Sequence, residues 1–232
     1  MTERTTMKRQ DLMLRWRNFS ALCVVILLTG CGGGGGNATS GSGGNAGAPA
    51  QYVLTFNAAW SGATHANFPR NPHFSGLIGG AHTPSARLWT SGGRATKGIK
   101  DMAERGGKGS LQSEVKGQIA AGQACSVISG GGINPSPGAT SVRFTVTPKC
   151  PAVSIVSMIA PSPDWFVGVS AVNLAQGNGW VDVKVVELHG YDAGTDSGQT
   201  HTAANARTAP SQPIRRIGSL SSMGTFTFRR VQ

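Results

Sequence analysis

Residues 153–172 read VSIVSMIAPSPDWFVGVSAV. The opening run, Val153, Ile155, Val156, Met158 and Ile159, is dense in β-branched and apolar residues, the composition of a buried strand. Pro161-Ser162-Pro163-Asp164 breaks that run as a turn, and Val167 to Val172 resumes it as a second strand. Working outward, Val142, Phe144 and Val146 alternate with polar neighbours, and Tyr52-Val53-Leu54-Thr55-Phe56 alternates in part. Val181 to Leu188 and Phe226 to Val231 are further strand candidates, and glycine and proline clusters separate them all. Many short strands between such turns predict a mostly β fold, a β-sandwich. One or two short helices interrupt it in a connection. Ile99, Met102 and Ala103 stand at helical spacing before Gly106-Gly107. Ser110 reads as the N-cap of a second helix whose stripe is Leu111, Val115, Ile119 and Ala120, closed by Gly122. The stretch from Phe56 to about Thr90 reads as irregular, and 199–213 as a polar loop with no apolar pattern.

The whole chain has 232 residues, a formal net charge of +11 and 34 glycines. Its length supports one domain with an appendage. A charged fraction of 13% excludes a coiled coil and charge-driven disorder. Excess positive charge raises nucleic acid or an acidic surface as partners, so the position of each charge matters. Residues 1–17 carry Arg4, Lys8, Arg9, Arg15 and Arg17 against Glu3 and Asp11, and a short apolar run from Phe19 to Leu28 follows. That run is about half the roughly twenty residues a spanning helix needs, and the pattern is a secretory signal over residues 1–30. Its end, Leu28-Thr29-Gly30-Cys31, resembles a bacterial lipobox. The resemblance implies that Cys31 is acylated, becomes the mature N-terminus and anchors the chain to the cell envelope. Gly32, where an Asp favours inner-membrane retention, points to the outer membrane, on its periplasmic or surface side. A plain secretory signal with an incidental cysteine is the simpler alternative. With the signal removed, 16 basic and 8 acidic residues leave +8, scattered apart from Arg215-Arg216 and Arg229-Arg230. Thinly spread charge on a tethered chain speaks against nucleic acid and leaves anionic lipid or lipopolysaccharide headgroups within reach.

Residues 31–50 comprise Cys31 and a tether with nine glycines and no charge. Such a sequence is a flexible coil with a root-mean-square span of roughly 25 Å. The folded unit is 51–232. Cys125 and Cys150 remain there, and in an oxidising compartment they read as a disulfide worth about 3 kcal/mol in the chain-entropy model. Two free thiols or a metal pair are the alternatives, and no histidine lies near them in sequence.

The carboxylates carry the chemistry. Three of the eight acids after the signal, Asp164, Asp192 and Asp196, lie in the turn-like segments PSPDW and DAGTDSG. Calcium takes six to eight hard oxygen ligands from carboxylates, main-chain carbonyls and water, and Gly194 and Gly198 let the chain bend around an ion. The alternative is that Asp192 and Asp196 only stabilise turns.

These segments resemble the signatures of the spondin N-terminal domain family. Trp60-Ser61, Thr64-His65, His73-Phe74-Ser75, Ile78-Gly79, Ala81-His82, Leu88-Trp89 and Gly98-Ile99-Lys100 resemble its opening. Pro161 to Trp165 with Val167 to Ser170, and Asp192 to Gly198, resemble its central and second signatures in order and spacing. The resemblance covers roughly 52–220. It implies an antiparallel, C2-like β-sandwich that binds one calcium ion at a loop end, with Asp164, Asp192 and Asp196 as ligands. It also implies a role in adhesion or ligand binding, since the family occurs in matrix and adhesion proteins and as single domains in bacteria. Animal members carry cysteines before the pair matching Gly179-Trp180; here Ala175 to Asn178 has none, so a Cys125–Cys150 bridge would be this chain's own staple.

The resulting expectation is a lipid-anchored, calcium-binding module and no enzyme, with an anionic glycan, lipopolysaccharide or protein as ligand. The rivals are a metal-assisted hydrolase of envelope polymers, which needs His65, His73 and His82 to converge with carboxylates, and a structural envelope component. No HExxH or GxSxG motif supports hydrolysis, and Gly130-Gly131-Gly132 opens no phosphate-binding helix.

Overall fold

The computed structural model describes residues 47–232. The signal, Cys31 and all but the end of the tether lie outside the described residues. The first strand, β1 (Ala50–Ala58), starts one residue before the boundary read from sequence. It is followed by β2 (His73–Phe74), β3 (Ile78–His82), α1 (Lys97–Arg105) and α2 (Gly109–Ala120). Next come β4 (Ala124–Ser129), β5 (Gly138–Val146), β6 (Ala152–Ala160) and β7 (Trp165–Asn173). A small ribbon, β8 (Ala175–Gln176) and β9 (Gly179–Trp180), leads to β10 (Val183–Leu188), β11 (Gly190–Asp192), β12 (Arg215–Arg216) and β13 (Gly224–Arg230).

Two sheets result. One has the order β10-β13-β1-β5; the other runs β12-β11-β7-β6-β3-β4, with β2 also paired to β6. The pairings are antiparallel, so the molecule is an antiparallel β-sandwich. In β1, Tyr52, Leu54 and Phe56 are fully buried while their neighbours face out, the alternation of a sheet with one wet face. Phe56 meets its cross-strand neighbour Phe226 edge-on at a centroid distance of 5.1 Å, and Phe74 of the opposite sheet edge-on at 4.8 Å.

Strand β6 is buried at every residue. Val153, Ile155 and Ile159 belong to the core between the sheets. Val156, Met158 and Ala160 belong to a second core under the helices, with Ile99 and Met102 of α1 and Leu111 and Val115 of α2. This explains the dense apolar run, interrupted only by the buried Ser154 and Ser157: the strand has no wet face to mark with charged or large polar residues. Cys125 and Cys150 form a disulfide with a Cα–Cα distance of 6.1 Å, tying β4 to the turn before β6.

Two local readings differ from the structure. Ser110 lies inside the first turn of α2 and is not its cap; Lys108 holds the cap position without a side-chain bond. The Ser110 hydroxyl instead donates to Asp101 of α1, which Lys97 and Arg105 also bind. Those bonds, Lys97's first, hold Asp101 down at about 2. The second difference is β3, a fully buried strand inside the stretch read as irregular. Its sequence, IGGAH, carries the glycines of a turn. The structure puts β3 between β6 and β4, where a Cβ on Gly79 would overlap the carbonyl oxygen of Ser154. Close backbone approach selects glycine here, and turn formation does not. Gly79→Ala is expected to cost about 3 kcal/mol, the upper range for overpacking a core, read as a lowered urea midpoint at unchanged m-value; an unchanged midpoint would contradict this packing.

Candidate acidic hub

Antiparallel pairing of β7 with β11 brings the two aspartate segments together. The register sets Gly190 opposite Val167, Tyr191 opposite Phe166 and Asp192 opposite Trp165. Asp164 then lies at the end of the β6–β7 turn and Asp192 at the end of β11, and the Ala193 N–H donates to the Asp164 carbonyl at 3.1 Å. Ser162 fixes the turn: its hydroxyl donates to Ile159 O at 2.6 Å and accepts from the Trp165 N–H at 3.0 Å.

All three aspartates are buried, Asp164 completely. Asp164 Oδ2 accepts from the Thr195 N–H at 2.7 Å, the Thr195 hydroxyl at 3.1 Å and the Asp196 N–H at 3.0 Å. Its other oxygen, Oδ1, is buried and has no hydrogen-bond partner. Asp192 Oδ1 accepts from Gly194 N at 2.7 Å, and Oδ2 takes both Nε and an Nη of Arg215, at 3.1 and 2.8 Å. Asp196 Oδ1 accepts from Gly198 N and Oδ2 from Ala206 N, each at 2.8 Å. Asp192 and Asp196 therefore each close a turn on the N–H two residues on. Gly194 is required by its φ of +73° and by the carbonyl of Gln212, which a Cβ would overlap.

The polar loop 199–213 is drawn onto this hub. Beyond the Ala206 bond, Thr208 N donates to Thr195 O at 2.9 Å and Gln212 N to Gly194 O at 2.7 Å. Behind Thr195 the loop and α1 enclose a cavity of about 230 Å³ whose lining includes Thr96, Lys97, Lys100, Arg207 and Thr208. Lys97 and Lys100 are paired with Asp101 and Glu104, but no ion pair engages the Arg207 guanidinium among the described residues. This cavity leaves no mark in the sequence because its cations come from segments more than a hundred residues apart and touch nothing in common until the fold is formed. Arg215 was visible as half of a basic pair, not as the counter-charge of Asp192.

The hub fits a hard cation in one respect above all. Burial pushes the Asp164 carboxyl above the usual carboxylate range, the Thr195 N–H opposes this, and the charge of Asp192 raises it again. A buried carboxylate oxygen without a donor, next to a second carboxylate, is what a divalent ion would satisfy. Among the described residues no three His, Cys, Asp or Glu side chains converge on one point. An ion at Asp164 would therefore complete its shell with main-chain carbonyls and water. His65, His73 and His82 do not gather: His73 bonds Asn71 O at 2.8 Å, and His82 is buried between Thr83 O and Ser154 Oγ, both at 2.8 Å.

The raised native affinity of Asp164 for its proton sets a sign. Without a cation, the unfolded chain releases this proton at lower pH than the native protein, so the native state binds more protons between the two values. This group's contribution to stability then falls as pH rises through the ordinary carboxylate range into the raised one. Urea midpoints in chelator should show that fall, and Asp164→Asn should flatten it; an equal slope in both proteins would contradict the assignment.

Comparison with known proteins places this geometry in a family. The Spondin_N family model matches residues 50–227, which contain the whole hub and both sheets up to the middle of β13. Spondin-2 of Homo sapiens is 36% identical over 213 residues, 87% of this chain and 62% of that protein. Spondin-1 of Rattus norvegicus is 38% identical over 180 residues, 74% of this chain but 22% of that protein, so the match spans only part of these relatives' length. Spondin-2 of the same species is 34% identical over 183 residues. On the match across both sheets and at this identity, the chain belongs to the spondin N-terminal domain family.

Proposed function

We propose that the protein is a calcium-dependent binding module of the cell envelope, held there by lipid on Cys31, and that its ligand is anionic. The observation that carries the calcium reading is the partnerless Oδ1 of Asp164, buried beside Asp192. Calcium would supply the missing positive charge and stabilise the folded hub by mass action, by about 2.7 kcal/mol at a hundredfold excess over Kd. The anionic ligand is supported by the cavity of Lys97, Lys100 and Arg207, which shares Thr195 with the hub. Ordering of the 195–208 segment by the ion would fix Arg207 in place, so ion and ligand would bind with positive coupling. An adhesive or ligand-binding role, as the family resemblance implies, needs nothing more than this, and a catalytic centre is not part of the proposal. A purely structural envelope role is the second reading, favoured by Val183 and Val185 on edge strand β10, which are 43% and 60% exposed.

Calorimetric titration of the purified protein with calcium should give one binding event and a higher melting temperature, both lost in Asp164→Ala. No heat and no melting shift, or identical signals in the variant, would sink the calcium reading. For the anchor, Cys31→Ser should move the protein from the membrane fraction to the soluble fraction of the cell. A variant that stays with the membrane would count against lipidation.

A further inference from the structure

On the other side of the same PSPDW turn lies a group of rings that the acidic hub does not use. His201, from the polar loop, is 8% exposed and sits against Trp60 at 5.1 Å and Trp165 at 4.9 Å between ring centroids. His65, 6% exposed, borders the same cavity of about 350 Å³, whose lining also includes Asn67, Trp165, Gln199 and Ser219.

A carbonyl partner fixes the neutral tautomer of His201, and a hydroxyl partner holds the ring of His65. His201 Nδ1 lies 3.1 Å from the Pro161 carbonyl oxygen, which can only accept, so Nδ1 carries the proton. His65 Nδ1 lies 2.8 Å from the Thr64 hydroxyl, which also lies 2.9 Å from Ala59 O and from Ser61 Oγ; with the hydroxyl proton on Ala59 O, Nδ1 donates and Nε2 is a lone pair. In the neutral ring His201 then presents Nε2 as a lone pair. His65 Nε2 is buried and has no partner, and neither has Trp165 Nε1 on the same cavity. Burial holds His201 below the usual histidine range against the pull of its bond to Pro161, and the nearby His65 adds to the lowering, so the ring is neutral near pH 7. An oriented imidazole that donates its other ring N–H to an oxygen acceptor, as His201 does to Pro161 O, is the arrangement of a metal-ligating histidine.

From this juxtaposition we infer a second metal site, distinct from the acidic hub, in which Nε2 of His65 and Nε2 of His201 bind a borderline transition ion such as Zn2+ or Cu2+. Imidazole nitrogen selects these ions over calcium. With no third His, Cys, Asp or Glu converging among the described residues, the ion's remaining positions are taken by water from the cavity.

The test uses the purified, metal-stripped full-length protein and Zn2+ or Cu2+ alone as probe. One equivalent of Zn2+ is expected to bind, and His65→Ala and His201→Ala should each weaken it by about tenfold or more. Asp164→Asn and His73→Ala should leave it unchanged. Cu2+ bound to the unmutated protein should show two nitrogen ligands by electron paramagnetic resonance. Because removal of a buried ring can unfold the chain, imidazole 15N spectra of the unmutated protein provide an independent reading: Nε2 of His65 and His201 should shift on adding Zn2+, while those of His73, His82 and His189 stay. Absence of stoichiometric binding, binding undiminished in the folded double variant, or shifts confined to His73 would overturn the assignment.

Discussion

The bonds from the 195–196 backbone and the Thr195 hydroxyl to Asp164 Oδ2 are the interaction on which the loop end of the sandwich depends. A carboxylate with no solvent exposure has a large desolvation cost, and three donors on one oxygen offset part of it. Those donors come from the segment that follows β11, so satisfying Asp164 fixes where that segment runs. Asp196 is placed by its own N–H on Asp164 and then captures Ala206, and the polar loop returns across the hub to Arg215. One buried charge thus organises about twenty residues that have almost no apolar pattern of their own.

This arrangement gives the PSPDW turn two outward consequences. On one side Asp164 holds the segment that carries Thr195 and brings Arg207 and Thr208 up to α1. On the other, Pro161 O orients His201 between Trp60 and Trp165. The scaffold beneath is stiff for a separate reason. Strands β6 and β7 pack between the opposite sheet and the helices, so they cannot shift without disturbing two cores at once. Rigid strands carrying precisely bonded loops are the usual division of labour in a binding module.

Much of the fold was legible because its signals are local. Period-two alternation marked β1 and β5, and the apolar density of residues 153–159 marked β6 before any partner was known. Strand β3 was illegible for the opposite reason. Its glycines answer to Ser154 and Val115, residues remote in sequence, and read locally as a turn. The same distinction holds at the site. Asp164, Asp192 and Asp196 stood out as rare acids in glycine- and proline-rich turns, and the β7–β11 register does bring their segments together. What the sequence could not reveal is which oxygens the fold already uses: both of Asp192 and both of Asp196 accept hydrogen bonds, and only Asp164 Oδ1 is left over. His201 was hidden because a single histidine in a polar loop has no pattern; its meaning comes from Pro161, Trp60 and His65.

The central claim is that this one leftover oxygen marks a cation site. A crystal structure of the protein grown in millimolar calcium tests it most directly. The account predicts an ion 2.3–2.6 Å from Asp164 Oδ1, the calcium–oxygen range, with carbonyl and water oxygens completing its shell and an anomalous signal consistent with calcium. A water molecule or a donor side chain bonded to Oδ1 in that crystal, with no ion at the hub, would contradict it.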